Sequence, residues 1–304
     1  MDSAVLAPGG AFCHTPLPSE ASEASMRIAI IAAGQMGTGI GQRLSERGAQ
    51  VTTSLKGRSA ASEERARSAG MTAIDNDDAL VASADLLLSI LPPAEAVPLA
   101  ARLAPALANV RPGFVYVDCN AVAPETVHEV GRLVTGAGAR FADIGIIGGP
   151  PRADGYSPHL YASGEAASAL MGLRDFGLDL RPLEGGIGAA SALKLSYAAL
   201  TKGLSAIAIA VARGADLGNC AAALRAEFAE SQPLLFQWLQ RQIPGIYPKA
   251  YRWVGEMEEI AGFLGNNPGA EMFHGAASGY RAIAERWEAK DEAGLGFLAD
   301  LFRR

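Results

Sequence analysis

Apolar positions along this chain follow two regimes that change near residue 185. Before it, short apolar runs alternate with longer amphipathic stretches. The runs predict strands at 28–31, near Val51, and at 71–74, 85–91, 114–117 and 140–144. Between them lie helical patterns. Met36, Ile40 and Leu44 recur at spacing four. A polar helix runs from Ser59 to Ala69, ended by Gly70, and Asn76 or Asp77 caps a short helix through Ala82. Pro92-Pro93 stops one strand ahead of a helix at 95–108, and a further helix spans 124–136. After Gly185 the strand signal fades. Residues 189–213, Ala-rich and interrupted only by Gly203, read as one buried helix, with others expected at 220–230, 232–242, 250–264, 269–289 and 292–302.

Strands that alternate with helices imply a parallel sheet covered by helices, and continuous apolar runs such as 85–91 fit strands covered on both faces. The expected fold class is an α/β Rossmann domain, with a parallel, doubly wound sheet, followed by an all-α C-terminal domain. The expected boundaries are 1–25 for a disordered N-terminal tail, 26–186 for the sheet domain and 187–304 for the helical domain. Residues 1–25 mix Pro, Ser, Ala and Gly without a period and without a basic n-region, so Met26 is a candidate start. In such sheets ligands sit at the C-terminal ends of strands. Those ends are Gly34–Gly37, 56–59, 91–93, 118–120 and 145–150.

The first of them carries the sharpest chemical signal. Ala32-Ala33-Gly34-Gln35-Met36-Gly37 follows an apolar run and opens a helix. It is a G-x-G-x-x-G fingerprint with Ala at its first position. Small residues there let the backbone approach a pyrophosphate, and the helix N-terminus offers N–H groups and the positive end of its dipole. Ala33, Gly34, Gln35, Met36 and Gly37 are therefore candidate cofactor residues, joined by Leu91 and Asn120 at neighbouring strand ends. An acid about 20 residues on would hold the ribose 2′-hydroxyl of NAD. The chain instead has Ser54-Leu55-Lys56-Gly57-Arg58-Ser59. Arg58 can fork onto a 2′-phosphate with Lys56 and Ser59 assisting, so NADP is expected over NAD. The alternative is that Lys56 and Arg58 are solvated loop charges and Ser59 caps the next helix.

Composition narrows the setting. A chain of 304 residues can bury a large core and is long enough for two domains. A net charge of −6 gives no electrostatic case for nucleic acid or an anionic membrane. Cys13, Cys119 and Cys220 are few, odd in number and far apart, which fits a reducing, cytoplasmic setting without a disulfide framework or zinc site. No uninterrupted apolar run approaches membrane-spanning length. His274 with Glu271 reads as a capped helix start with a packed His rather than a metal site, and Trp238, Tyr251 and Trp253 read as core or interface residues.

Four segments, in order, resemble the β-hydroxyacid dehydrogenase and 6-phosphogluconate dehydrogenase-like superfamily. The dinucleotide turn is similar to its G-x-G-x-M-G. Asp118-Cys119-Asn120-Ala121-Val122-Ala123-Pro124 is similar to its D-x-S-T-x-x-P. Asp143-Ile144-Gly145-Ile146-Ile147-Gly148-Gly149-Pro150 is similar to its D-A-P-V-S-G-G loop. Gly185-Gly186-Ile187-Gly188 with Leu193-Lys194-Leu195 is similar to its G-x-x-G-x-G-x-x-x-K segment. The resemblance implies that Lys194 is the general acid/base, that Asn120, Gly148 and Gly149 position a small-molecule substrate, and that the chain forms a homodimer. A lone Lys on an apolar helix face is costly without a partner or task, which agrees; the alternative is a Lys that snorkels to the surface.

The departures fall at the substrate side. Ala198 replaces the family's Asn one turn after Lys194, Ile147 replaces a Ser, and Asn120 stands where Ser is common. Tyr197, Thr201 and Lys202 are a candidate replacement set, or ordinary packing residues. The resemblance implies an oxidoreductase that transfers hydride between nicotinamide and a hydroxyacid, alcohol or carbonyl compound. Rival readings are an imine reductase or a non-redox lyase, and a non-catalytic NADP sensor.

Overall fold

The computed structural model describes residues 25–31, 34–55 and 57–303. Its first half alternates as expected. Strand β1 (Arg27–Ile31) leads to helix α1 (Gln35–Glu46), β2 (Gln50–Thr53), α2 (Ala60–Ser68), β3 (Thr72–Ala73), α3 (Asp77–Ser83), β4 (Leu86–Ser89), α4 (Ala96–Leu107), β5 (Val115–Asp118), α5 (Pro124–Gly136) and β6 (Arg140–Ile147). Local chemistry sets the boundaries. Ser59 Oγ accepts from the Ser62 N–H at 3.3 Å and caps α2, and Asn76 Oδ1 accepts from Ala79 N–H at 2.7 Å and caps α3. Pro124 opens α5 at a position that has no N–H to lose.

The sheet is larger than its pattern suggested. Strands β7 (His159–Ser163) and β8 (Asp179–Pro182), joined through a 3₁₀ segment at Ala167–Arg174, complete eight strands in the order β3-β2-β1-β4-β5-β6-β7-β8. The sheet is parallel as expected except at one junction, where β7 runs antiparallel to β6. The strand expected at 140–144 also continues to Ile147, because its extra residues pair with β7. Alternate residues of the central strands serve two cores. Ile28, Ile30, Leu86, Leu88, Val115 and Val117 face one side with α1 and α2, whereas Ala29, Ile31, Leu87 and Tyr116 face the other with α3, α4 and α5.

The remainder is helical. Helix α6 (Ala189–Leu217) packs on β6 and then against α7 (Ala221–Ser231), α8 (Pro233–Gln242), α9 (Ala250–Leu264), α10 (Ala270–Glu288) and α11 (Glu292–Phe302). A third core gathers here, around Met257, Ile260, Tyr280, Leu298 and Leu301, with Leu195, Ala198 and Ala212 supplied by α6. Helix α6 is long and apolar enough, by length and composition, to cross a membrane, and a third of its most apolar window is buried within the fold. His274 is a second correction. It is exposed and its partner is Glu258 (Nδ1 to Oε2, 2.8 Å) rather than Glu271. Tyr251, at 62% exposure, is not core, whereas Trp253 packs edge-on against Tyr280.

Candidate functional site

The strand order reverses direction between β1 and β4, and ligand crevices in open α/β sheets form at such a point. The turn after β1 lies on one side of it. Ala33, like Lys56, is outside the described residues. Gly34 precedes α1 in extended geometry (φ −84°, ψ 170°), and no side chain caps the helix. A Cβ on Gly34 would meet none of the described residues within 4 Å, which leaves space beside the uncapped helix end. Gly34 and Gln35 are exposed, Met36 is half-buried and Gly37 is buried. Thr38, in the same first turn, has a buried hydroxyl with no hydrogen-bond partner among the described residues. Open space, an uncapped helix end and an unspent hydroxyl are what an anionic pyrophosphate needs. Arg58 and Ser59 follow β2. Arg58 is exposed, with no ion pair to another described residue, while Ser59 is engaged as the α2 cap.

On the other side of the reversal, Asn120 ties two strand ends together. It is 1% exposed. Its Oδ1 accepts from the Leu91 N–H (2.5 Å), and its Nδ2 donates to Ser89 Oγ (3.0 Å) and to Asp118 Oδ2 (2.9 Å). Both amide hydrogens are therefore spent on protein partners, which makes Asn120 a brace of the crevice wall more than a free donor to substrate. Leu91 is half-buried beside it.

Asp118 and Asp143 end up side by side, as register partners on β5 and β6. Both are fully buried. Burial raises the Asp118 carboxyl to about 7, with Asp143 adding to the rise and the Asn120 hydrogen bonds and Lys194 opposing it. Burial raises Asp143 as well, against hydrogen bonds from Ser191 and Ser163. Lys194 projects from α6 into this neighbourhood. Its amine is lowered from the ordinary lysine range by desolvation, which Cys119, Asp118 and Asp143 partly offset. The result is a lysine whose proton is loosened by burial and retained by two carboxyls, the opposing influences that a proton-exchanging group needs. Cys119 itself is a free, buried thiol pushed up by burial and by both carboxyls.

The remaining expected residues divide. Gly148 (φ +127°) and Gly149 follow β6, and a Cβ on Gly148 would collide with the Tyr156 hydroxyl. Gly149 N–H donates to that hydroxyl at 3.2 Å, and the Arg152 guanidinium lies 4.4 Å from the Tyr156 ring centre. The loop is thus braced by a tyrosine that pattern reading passed over. Tyr197 is 54% exposed, and its carbonyl accepts from Thr201 Oγ1 at 3.0 Å. Lys202 has a partner: it pairs with Glu256 of α9 and lies 5.2 Å from the Trp253 ring centre. Burial, Lys194 and Arg252 lower its affinity for a proton, and the Glu256 carboxylate works the other way. Sequence reading singled out Asp118 and Asp143 only as motif letters and missed Thr38, Ser89, Ser163, Ser191 and Glu256. Of these, only the two Asp positions left a signal, Asp118 at the end of an apolar strand and Asp143 as a lone acid within one.

Comparison with known proteins agrees with this fold. Residues 27–170 match the NAD binding domain of 6-phosphogluconate dehydrogenase, and residues 215–283 match a domain of unknown function, DUF1932. The uncharacterized 28.5 kDa protein in the 7S RNA 5′ region of Methanothermus fervidus is 28% identical over 186 residues, which is 61% of this chain and 69% of that protein. A solved conserved protein of unknown function, described as structurally similar to 3-hydroxyacid dehydrogenases, is 28% identical. The match covers 86% of this chain and 97% of that one, with a TM-score of 0.69. The 3-hydroxyisobutyrate dehydrogenase of Mycobacterium tuberculosis, solved with L-serine, shares the fold at 18% identity and a TM-score of 0.62, over 91% of this chain and 98% of that one.

Proposed function

Because this chain belongs to the β-hydroxyacid dehydrogenase and 6-phosphogluconate dehydrogenase-like superfamily, we propose that it is an NADP(H)-dependent oxidoreductase acting on a small hydroxyacid, alcohol or carbonyl substrate, with Lys194 as general acid/base. The single observation that carries this reading is Lys194 itself: a lysine with a loosened proton beside two buried carboxyls, on the helix that passes the C-terminal strand ends. Gly34, Gln35, Met36 and Gly37 hold the pyrophosphate at the uncapped end of α1, Leu91 and Asn120 wall the crevice, and Arg58 pairs with the 2′-phosphate. The cofactor supplies a hydride acceptor or donor at its nicotinamide ring. Lys194 takes the hydroxyl proton in the oxidative direction and returns it to the carbonyl oxygen in the other. Gly148 and Gly149 bring backbone close to the substrate.

In this reading residues 26–186 form the cofactor domain and 187–304 the substrate and dimer domain, in a reducing, cytoplasmic setting where Cys119 and Cys220 remain thiols. The dimer rests on an apolar groove of about 940 Å³ along α6, α9 and α10. Leu200 and Met272 line it at 65% and 63% exposure, and Ile207 at 49%. Such a patch on a soluble chain marks a partner surface, and a second copy is its occupant. The test is Lys194→Ala: turnover should vanish with cofactor binding intact, and unaltered turnover would refute the assignment.

A further inference from the structure

Helix α6 has no cap of its own. The residue before it, Gly188, sits at φ +90° and brings no side chain to the helix end. The first turn is instead met by two strands of the sheet. Ala190 N–H donates to Ser163 Oγ of β7 at 3.0 Å. Ser191 N–H donates to Asp143 Oδ2 of β6 at 3.0 Å, and Ser191 Oγ donates to Asp143 Oδ1 at 2.8 Å. Ser163 Oγ closes the cluster on Asp143 Oδ2 at 3.4 Å. Asp143 and Ser163 are 0% exposed and Ser191 1%. Two residues along β6, a Cβ on Gly145 would run into the Ala190 carbonyl and come 3.2 Å from the Lys194 Cβ, so strand and helix touch backbone to backbone.

We propose that Asp143, acting through Ser191 and Ser163, is the positioning residue for Lys194: it docks the first turn of α6 on β6 and β7 and so fixes where the amine one turn later stands. This rests on the reading of Lys194 as acid/base and adds to it. A helix needs no buried carboxylate merely to be capped, and burying one is costly. The carboxylate does what a local cap cannot, since it ties the helix to the strand that leads into Gly148 and Gly149. It also faces Lys194 together with Asp118 and Cys119 of the β5 end. Lys202, two turns along α6, is paired with Glu256 of α9, near Arg252.

The test uses the full chain, its five lysines carrying isotope-labelled methyl groups, with Lys194→Arg assigning the Lys194 signal. In Asp143→Asn the midpoint of the Lys194 titration should move down by about one pH unit, because a nearby opposite charge is removed. Ser191→Ala keeps the charge and the backbone N–H bond but removes the Oγ–Oδ1 half of the tie. It should shift the Lys194 signal at fixed pH and lower kcat about tenfold, with cofactor binding retained. If Asp143→Asn does not fold, Ser191→Ala and Ser163→Ala carry the test. An unchanged Lys194 signal in every folded variant would overturn the proposal. That result is separable from failure of the acid/base reading, which shows as normal turnover in Lys194→Ala whatever the Asp143 variant does to the titration.

Discussion

Gly145 and Lys194 are in contact across the strand–helix junction: a Cβ on Gly145 would lie 3.2 Å from the Lys194 Cβ and would strike the Ala190 carbonyl oxygen. The obstruction is backbone, which cannot swing aside. Gly145→Ala should therefore force α6 off β6 and destabilise the fold by about 1–3 kcal/mol, as overpacking does. Urea unfolding followed by circular dichroism measures this, and a midpoint equal to wild type would mean that the junction is looser than described.

Asn120 makes a second test of the site's framework. Asn120→Ala leaves the Leu91 N–H without its acceptor and removes two donors from Ser89 and Asp118. Each stranded buried group costs about 1–3 kcal/mol, so a loss of about 3 kcal/mol is expected in the same unfolding experiment. A loss below about 1 kcal/mol would return Asn120 to the role of a free substrate donor.

Asp118 gives a pH signature. Its native carboxyl is raised to about 7, whereas the unfolded chain releases that proton near pH 4. Between those values the native state holds a proton that the unfolded state has lost, so this group makes stability fall as pH rises across the window. The full effect is on the order of 4 kcal/mol. Lys194, with lowered proton affinity, contributes in the opposite sense toward alkaline pH. Asp118→Asn should flatten the decline between about pH 4 and about pH 7. Parallel slopes in wild type and variant would show that Asp118 titrates normally.

Much of this was legible in the pattern of residues, and the parts that were not have identifiable reasons. Helices α9 and α11 fall at their expected limits because long apolar periodicity carries its own boundaries. Strands β7 and β8 escaped because they are short and lie at one end of the sheet, where half-exposed residues such as His159, Tyr161 and Arg181 interrupt the apolar run. The dinucleotide turn announced itself through spacing. The pairing of Asp118 with Asp143 did not, since it depends on the register of β5 against β6. Nor did the pairing of Lys202 with Glu256, residues 54 positions apart (256 − 202) on different helices. Local chemistry is written locally, whereas the surroundings of Lys194 exist only once sheet and helices have met.

In the proposed reading, cofactor preference rests on Arg58. Exposed after β2 and without an ion pair to another described residue, it is available to a 2′-phosphate. Arg58→Ala should weaken NADPH binding about tenfold, the order of one charge-assisted hydrogen bond, and leave NADH binding unchanged. Equal losses for both cofactors would place Arg58 elsewhere in the site.

The most direct test of the central claim is a titration of the purified protein, and of its Lys194→Ala variant, with NADPH and NADH, followed by nicotinamide fluorescence and then by a screen of hydroxyacids and carbonyl compounds. The account predicts that both proteins bind NADPH in preference to NADH and that only the wild type oxidises or reduces a substrate. Binding of neither cofactor, or equal turnover by the variant, would contradict it.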